Sequence, residues 1–545
     1  MKFKKKNLFA LLPIFLVTFI LTGCGSNEEK DSKDTLSISS SDVIATMDSS
    51  MNTDTIGSQN LTNTMEGLYR YNGKNLEPAI ATEIVKPTDN GRVYTFHLKH
   101  TKWSNNKPVT ANDFVYAWRR TVDPKTASLY AYIYSGIKNA DQINAGKKPV
   151  NSLGVKALDD YTLQVTLDEA IPYFSTLMAS STFYPQYKPA VEKAGKQYGL
   201  KSKGMVFNGP FKLVNWTVSN NSWTEVKNPT YWNAQAVHLK KVKYYAVKDA
   251  NTGLNLYDTN RINRLEKLGG DTARQVSNYK TFSNDKQSGN FYLEFNQKKY
   301  KFFRNEKIRQ AISLAINREQ LTNNVIGKTG GIEHTIVPVG MSYDPKTKVD
   351  FTKEKELQSS NKYTDYNPKK AKKLWKEGIA ETGQKNLEFT LLGDDTDNAK
   401  KQNEYIQGQL EKNLPGLKVT LSNVPLKSRL DKYSSGQFDF LVNGWNADYP
   451  DPISFLEIFT TGNSQNGGGY SNKAYDALID KSKTTDANNE DARWQDLLQA
   501  TKIFTDEQAI VPLYQGYQAN LTRKNVKNYT MSPNGSYDLV TVYKK

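Results

Sequence analysis

Leu387-Glu388-Phe389-Thr390-Leu391-Leu392, the stretch Tyr405-Ile406-Gln407-Gly408-Gln409-Leu410, and Leu417-Lys418-Val419-Thr420-Leu421 decide the fold class. The outer two are short apolar-rich runs of strand type, and the middle one reads as helix. Strand, helix and strand in that order make a βαβ unit, which implies mixed sheets covered by helices in an α/β protein. Upstream, Asn367-Pro368 opens another helix with proline in its first turn, running to about Gly378. Asn305 to Val325 places Ile308, Ile312, Ala315 and Ile316 on a helical face, breaks at Asn317 and restarts at Arg318-Glu319. Nearer the start, Tyr94 to Leu98 alternates like a half-buried strand. Thr110-Ala111-Asn112-Asp113 is a capping box opening an amphipathic helix over Phe114 to Thr121. Val155 to Leu167 reads as a hairpin turning at Asp159-Asp160. No repeat of 20–50 residues runs through these elements, which excludes solenoids and propellers.

Downstream of the βαβ unit, Phe438 to Val442 is a strand-like run that ends in Asn443-Gly444-Trp445-Asn446-Ala447-Asp448-Tyr449-Pro450-Asp451-Pro452. The latter segment reads as a loop. Its glycine lets a ligand backbone approach closely, its tryptophan can wall a pocket, and its prolines stiffen the exit beside Asp448. An ordinary turn and a binding loop are both compatible with these residues.

The chain begins with four lysines at Lys2, Lys4, Lys5 and Lys6, followed by an apolar run from Leu8 to Leu21 and then Leu21-Thr22-Gly23-Cys24. A basic start, a short apolar stretch and small residues describe a secretory signal peptide over residues 1–23. As a helix the apolar run is about 21 Å long at ~1.5 Å per residue, short of a ~30 Å hydrocarbon core. Cys24 is the only cysteine. It stands where a bacterial lipobox places the residue that takes a diacylglycerol, so the chain is expected to be lipid-anchored there. Residues 24–35 are polar and charged, and read as a flexible tether.

With 545 residues and 37% hydrophobic content, the chain can hold several domains. The net charge of +17 includes the four leader lysines. The remaining lysines are scattered among acidic residues on an exported chain, which argues for a surface that tolerates an anionic envelope and against a nucleic-acid partner. No G-x-S-x-G, H-E-x-x-H or G-x-G-x-x-G motif is present. Gly327-Lys328-Thr329 imitates the end of a P-loop, but Thr322 stands where its first glycine belongs and helix precedes it. The four histidines (His97, His100, His238, His334) lack metal-ligand spacing; His97 and His100 fall at a strand end where side chains three apart face opposite ways. Nothing selects a catalytic pair from the many carboxylates. An exported peptidase is therefore disfavoured, and no metal or cofactor is expected.

Seven segments, in order along the chain, carry a family likeness: Met65-Glu66-Gly67-Leu68-Tyr69; Trp103 to Arg120 (WSNNKPVTANDFVYAWRR); Val122-Asp123-Pro124 with Ala127-Ser128-Leu129-Tyr130-Ala131; Asn208-Gly209-Pro210-Phe211; Asn228-Pro229-Thr230-Tyr231-Trp232-Asn233; Gly444-Trp445-Asn446-Ala447-Asp448-Tyr449; and Ala509-Ile510-Val511-Pro512-Leu513-Tyr514. Together they resemble the extracellular solute-binding proteins of family 5, the oligopeptide and dipeptide receptors of ABC importers.

That resemblance implies a type II (cluster C) periplasmic-binding-protein-like fold of two lobes with an additional domain. Domain I would cover residues 36–65, 190–288 and 518–545, domain II 66–189, and domain III 289–517. It further implies a monomeric receptor on the outer face of the cell membrane, probed by its permease partners and closing on a peptide between its lobes. The anchored-lipoprotein layout suggests the surface of a Gram-positive cell, although lipoproteins of two-membrane cells share the motif. By the same resemblance the peptide main chain pairs with Thr53-Asp54-Thr55 on one lobe and with Gly444-Trp445-Asn446, following Asn443, on the other. Asp448 would meet the peptide α-ammonium, and Tyr130 would lie near the ligand. Tyr514 belongs to the same expected site, as do Leu426 and Gly516, which stand where relatives carry a pocket tryptophan and tyrosine. Relatives selective for short peptides hold the terminal carboxylate with three basic side chains; Ile326, Ala399 and Val442 occupy those positions. Longer peptides are thus expected to be tolerated, with C-terminal amidation changing affinity little; Lys328 or a displaced neighbour is the cation to suspect otherwise. A signalling peptide remains an alternative to a nutrient. Nickel chelates, haem and saccharides are ligands of other relatives, and the scattered histidines argue against metal.

Overall fold

The computed structural model describes residues 32–385, 387–533 and 535–545. The leader, Cys24 and residues 24–31 of the expected tether lie outside them. Among the described residues no helix is long and apolar enough to cross a membrane.

Eleven strands form the central sheet: β1 (Thr35–Ser40), β2 (Phe211–Val214), β3 (Ser222–Lys227), β4 (Lys241–Ala246), β5 (Arg264–Leu268), β6 (Phe282–Phe295), β7 (Gly330–Ile332), β8 (Glu388–Asp394), β9 (Lys418–Val424), β10 (Phe440–Asn446) and β11 (Val511–Thr522). Their order is β9-β8-β10-β6-β11-β5-β1-β4-β3-β2, with β7 also on β11. Two strands do the joining. β6 and β11 pair from Phe282↔Leu521 to Leu293↔Val511, and their register breaks between Lys286 and Asn290. On one side of the break β11 pairs with β5 (Arg264↔Thr522, Leu268↔Ala519). On the other side β6 pairs with β10, from Gly289↔Asn446 to Phe295↔Phe440. The two long strands therefore belong to one lobe at one end and to the second lobe at the other. An irregularity at Gln287-Ser288-Gly289 separates the two ends, where a bulge loosens the ladder.

The βαβ unit is present. β8 and β9 run parallel, register Glu388↔Lys418 to Asp394↔Val424, around a helix at Asp397–Asn413 whose Ile406 and Leu410 are fully buried. The Asn305 segment also folds as its caps require: Asn305 accepts from the Ile308 N–H to open a helix at Glu306–Leu314, and Asn317 accepts from Gln320 to restart the chain. One expectation needs correction. The helix opened by Pro368 continues past Gly378 to Thr382 and stops at Gly383, φ +64°. Gly378 is a packing residue rather than a terminator: a Cβ there would lie 2.6 Å from Ile308 Cδ1, so glycine lets the two helices approach.

The first lobe carries an extra layer. Strands at Val93–His97, Thr162–Thr166 and Val155–Asp159 make a three-stranded antiparallel sheet. The helix Ala111–Val122, closed by the Thr110/Asp113 capping box, packs beside it. Trp103, Phe96, Phe114 and Trp118 are fully buried there, in a core distinct from the second lobe's Phe302, Phe303, Trp375 and Phe389. Large aromatic side chains supply much of the apolar area that holds each lobe, at roughly 25 cal/mol per Å² removed from water.

Candidate functional site

The β10 segment that reads as a loop from Asn443 is strand through Asn446. Asn and Gly weaken the strand signal, and pairing to β6 overrides it. That extension creates an edge. β10 contacts β8 only at Phe440 and Leu441, so Val442 to Asn446 are paired on the β6 side alone. Their open edge faces a cavity of about 520 Å³ between the lobes.

All twelve expected ligand residues line this cavity: Thr53, Asp54, Thr55, Tyr130, Leu426, Asn443, Gly444, Trp445, Asn446, Asp448, Tyr514 and Gly516. Across from the β10 edge, Asp54 holds an extended backbone (φ −124°, ψ 155°) and its Oδ1 caps the helix Thr55–Thr64 through the Gly57 N–H at 2.8 Å. Its Oδ2 is buried with no partner among the described residues, and burial raises its pKa. Asn443 is structural in its side chain: Nδ2 donates to the buried Glu294 at 2.9 Å, while Oδ1 accepts from Arg429 at 3.3 Å and from the Gly444 N–H at 3.0 Å. Glycine at 289 lets the strands approach: a Cβ would fall 1.8 Å from Asn446 Oδ1 and 3.0 Å from the Trp445 carbonyl, so the Asn446 side chain would have to move.

At one end, the Asp448 carboxylate accepts from the Tyr130 hydroxyl at 3.4 Å, and its own N–H donates to Ser454 Oγ at 3.0 Å. Burial, and then the nearby Glu457 charge, push its pKa up to about 7. A carboxylate with so little compensation is suited to a cation arriving from outside. Trp445 is fixed by stacking on Tyr130 (5.9 Å, 16°) and by donating from Nε1 to the Ser454 carbonyl at 2.9 Å.

The floor is apolar. Phe291, 39% exposed, stacks on Tyr514 at 4.8 Å. Cβ atoms at Gly444 or Gly516 would each press to 3.1 Å from its ring, so glycines on both neighbouring strands keep its face open. Ile326, Ala399 and Val442 line the cavity, and Lys328 does not. The basic side chains that do line it are Lys248, Lys267 and Arg429, none of them prominent in the sequence.

The lobes touch around the cavity. Lys248 bridges Asp395 at 2.7 Å, Ser464 Oγ donates to the Leu129 carbonyl at 2.6 Å, and Tyr173 stacks on Tyr449 at 4.2 Å.

Residues 75–467 match the family described as bacterial extracellular solute-binding proteins, family 5 Middle. The chain belongs to that family. Among family 5 relatives, a dipeptide-binding protein of Lactococcus lactis is 34% identical, covering 98% of each chain. A structure of Listeria monocytogenes OppA bound to peptide is 41% identical and superposes with a TM-score of 0.89, over 94% of this chain and 99% of the other. The unliganded open form of the murein tripeptide binding protein MppA, at 28% identity over 94% and 98%, reaches only 0.61. The lobe contacts and this contrast agree: the family 5 fold is here in its closed arrangement.

Proposed function

We propose that this family 5 protein captures oligopeptides in the cleft and delivers them to the permease subunits of an ABC importer, without chemical change to the ligand. The unpaired Val442–Asn446 edge carries the reading. Among the described residues no second strand covers it, and its backbone lines a closed cavity with the Gly444 N–H held at 3.0 Å by Asn443 Oδ1, a local bond that a ligand carbonyl can replace; such an edge suits a peptide added as a strand and read little by sequence. Thr53 to Thr55 receive the other side of the peptide backbone, and Asp448 takes its α-ammonium, with Tyr130, Trp445, Tyr514, Leu426 and Gly516 around the side chains. The peptide-bound Listeria relative supports this reading. A lipid on Cys24 holds the mature monomer to the outer face of the cell membrane, and the lobes divide at the domain boundaries given above. Because Ile326, Ala399 and Val442 put no cation on their wall, the cleft tolerates peptides longer than those taken by short-peptide specialists.

Mass spectrometry of ligand released from purified protein tests the proposal. A mixture of peptides is expected; one dominant sequence would mark a signal receptor, and a sugar, haem or metal chelate would overturn it. A calorimetric length series tests the tolerance: peptides of six or more residues should bind at least as well as tripeptides.

A further inference from the structure

Lys267 lies on β5, where the ladder to β11 breaks. Leu265 faces Leu521 and Leu268 faces Ala519, so two residues, Glu266 and Lys267, stand against Asn520 alone. The bulge puts Lys267 at φ +56°, left-handed backbone that a lysine adopts only under strain. Its amide is still held, donating to Asn520 Oδ1 at 3.4 Å. Glu266 turns toward Arg264, at 2.7 Å, and Tyr529. Lys267 instead extends into the interlobe cavity, where its side chain is exposed.

Its charge is not spent there. Of the three cations lining the cavity, Lys248 pairs with Asp395 and Asp42, and Arg429 with Asp394 at 2.6 Å. Lys267 has no carboxylate oxygen within 4.0 Å and no hydrogen-bond partner for its ammonium among the described residues. Asp54, Asp394 and Glu266 act on it only from farther off. The protein mass around the cavity lowers its pKa from the ordinary lysine value, while the side chain stays accessible from the cavity itself. An enclosed ammonium without a partner is costly unless something brings one.

Resting on the peptide reading, we propose that Lys267 receives a carboxylate of the ligand. For a peptide whose last residue stops there, the group is the terminal carboxylate, so amidation weakens binding at that length, against the expectation drawn from Ile326, Ala399 and Val442. For a longer chain it is an aspartate or glutamate side chain at that position. The bulge is then the device that aims the cation, from the lobe opposite the wall formed by Ile326, Ala399 and Val442.

The test uses peptides Ala-Leu-Ala(n) of three to seven residues as free acids and amides. A second set of amidated heptapeptides carries one glutamate or one glutamine walked along the chain. Calorimetry on the wild type should show at least a tenfold preference for the acid at one length, or for glutamate at one position; which series responds identifies the source of the carboxylate. Lys267→Met and Lys267→Gly should lose that preference while still binding the amides and glutamine peptides. Lys267→Arg should keep most of it. Lys267→Gly should also melt at a higher temperature than the wild type, because glycine suits the left-handed backbone; loss of the preference in a more stable protein is not a folding defect. Acid and amide, and glutamate and glutamine, binding alike throughout would overturn the proposal, as would a preference that survives in Lys267→Met. A series that binds nowhere would remove the peptide reading as well, which ligand release examines independently.

Discussion

In the proposed site, Asp448 is the side chain expected to contribute most to peptide binding. Its carboxylate is enclosed with only hydroxyl partners, and an ammonium arriving there gains a charge-assisted bond. Breaking a buried ion pair by removing one partner costs on the order of 3–5 kcal/mol. Asp448→Ala is therefore expected to weaken peptide binding at least ~100-fold, at ~1.4 kcal/mol per tenfold. N-acetylated peptides should lose similarly against the wild type and far less against the variant. Calorimetry of the four combinations checks it, and unchanged affinity on acetylation would rule Asp448 out as the anchor. Asp448 stands out in the sequence because glycine, tryptophan and two prolines surround it. Lys267 does not: simple alternation would put it on the face of buried Leu265, and only the bulge redirects it. A left-handed lysine leaves no compositional trace.

At the level of elements, what the sequence discloses follows local chemistry. The capping box, the Asn305 and Asn317 caps and the parallel βαβ unit all rest on contacts within a few residues. The end of β10 rests on a partner far away in the chain, which is why its Asn-Gly-Trp-Asn reads as loop and folds as strand. That edge yields its own prediction. A bound strand presents N–H groups to it at every second residue, so N-methylation along a hexapeptide should weaken binding at alternating positions, by about tenfold or more where a hydrogen bond is lost and a methyl intrudes. A uniform or non-alternating profile in calorimetry would show that the peptide does not pair with β10. Gly289→Ala tests the strand beneath it: a Cβ forced against Asn446 and the Trp445 carbonyl overpacks the pair. Denaturant titration should show a loss of about 1–3 kcal/mol.

For the whole molecule, closure and proton uptake are linked. Tyr130, across the cleft, helps to enclose Asp448, so opening the lobes is expected to bring its pKa down toward the ordinary 3.8 from about 7 in the closed arrangement. Between those values the closed, empty protein binds more protons than the open one, so acid favours empty closure and alkali opposes it. Above pH 7 the penalty is at its largest, and it shrinks as pH falls toward 4. An arriving ammonium removes the same penalty at neutral pH, which makes peptide the trigger for closing. Small-angle scattering of ligand-free protein at constant salt should thus give a smaller radius of gyration at pH 5 than at pH 8. Adding peptide at pH 8 should bring it down to the smaller value, with a change in Trp445 fluorescence. Asp448→Asn, unable to ionise, should show a weaker pH dependence, with Asp54 supplying what remains, and close more readily at pH 8. Equal radii at both pH values in the wild type, or an unchanged pH response in the variant, would show that the cleft is gated by something other than the charge on Asp448.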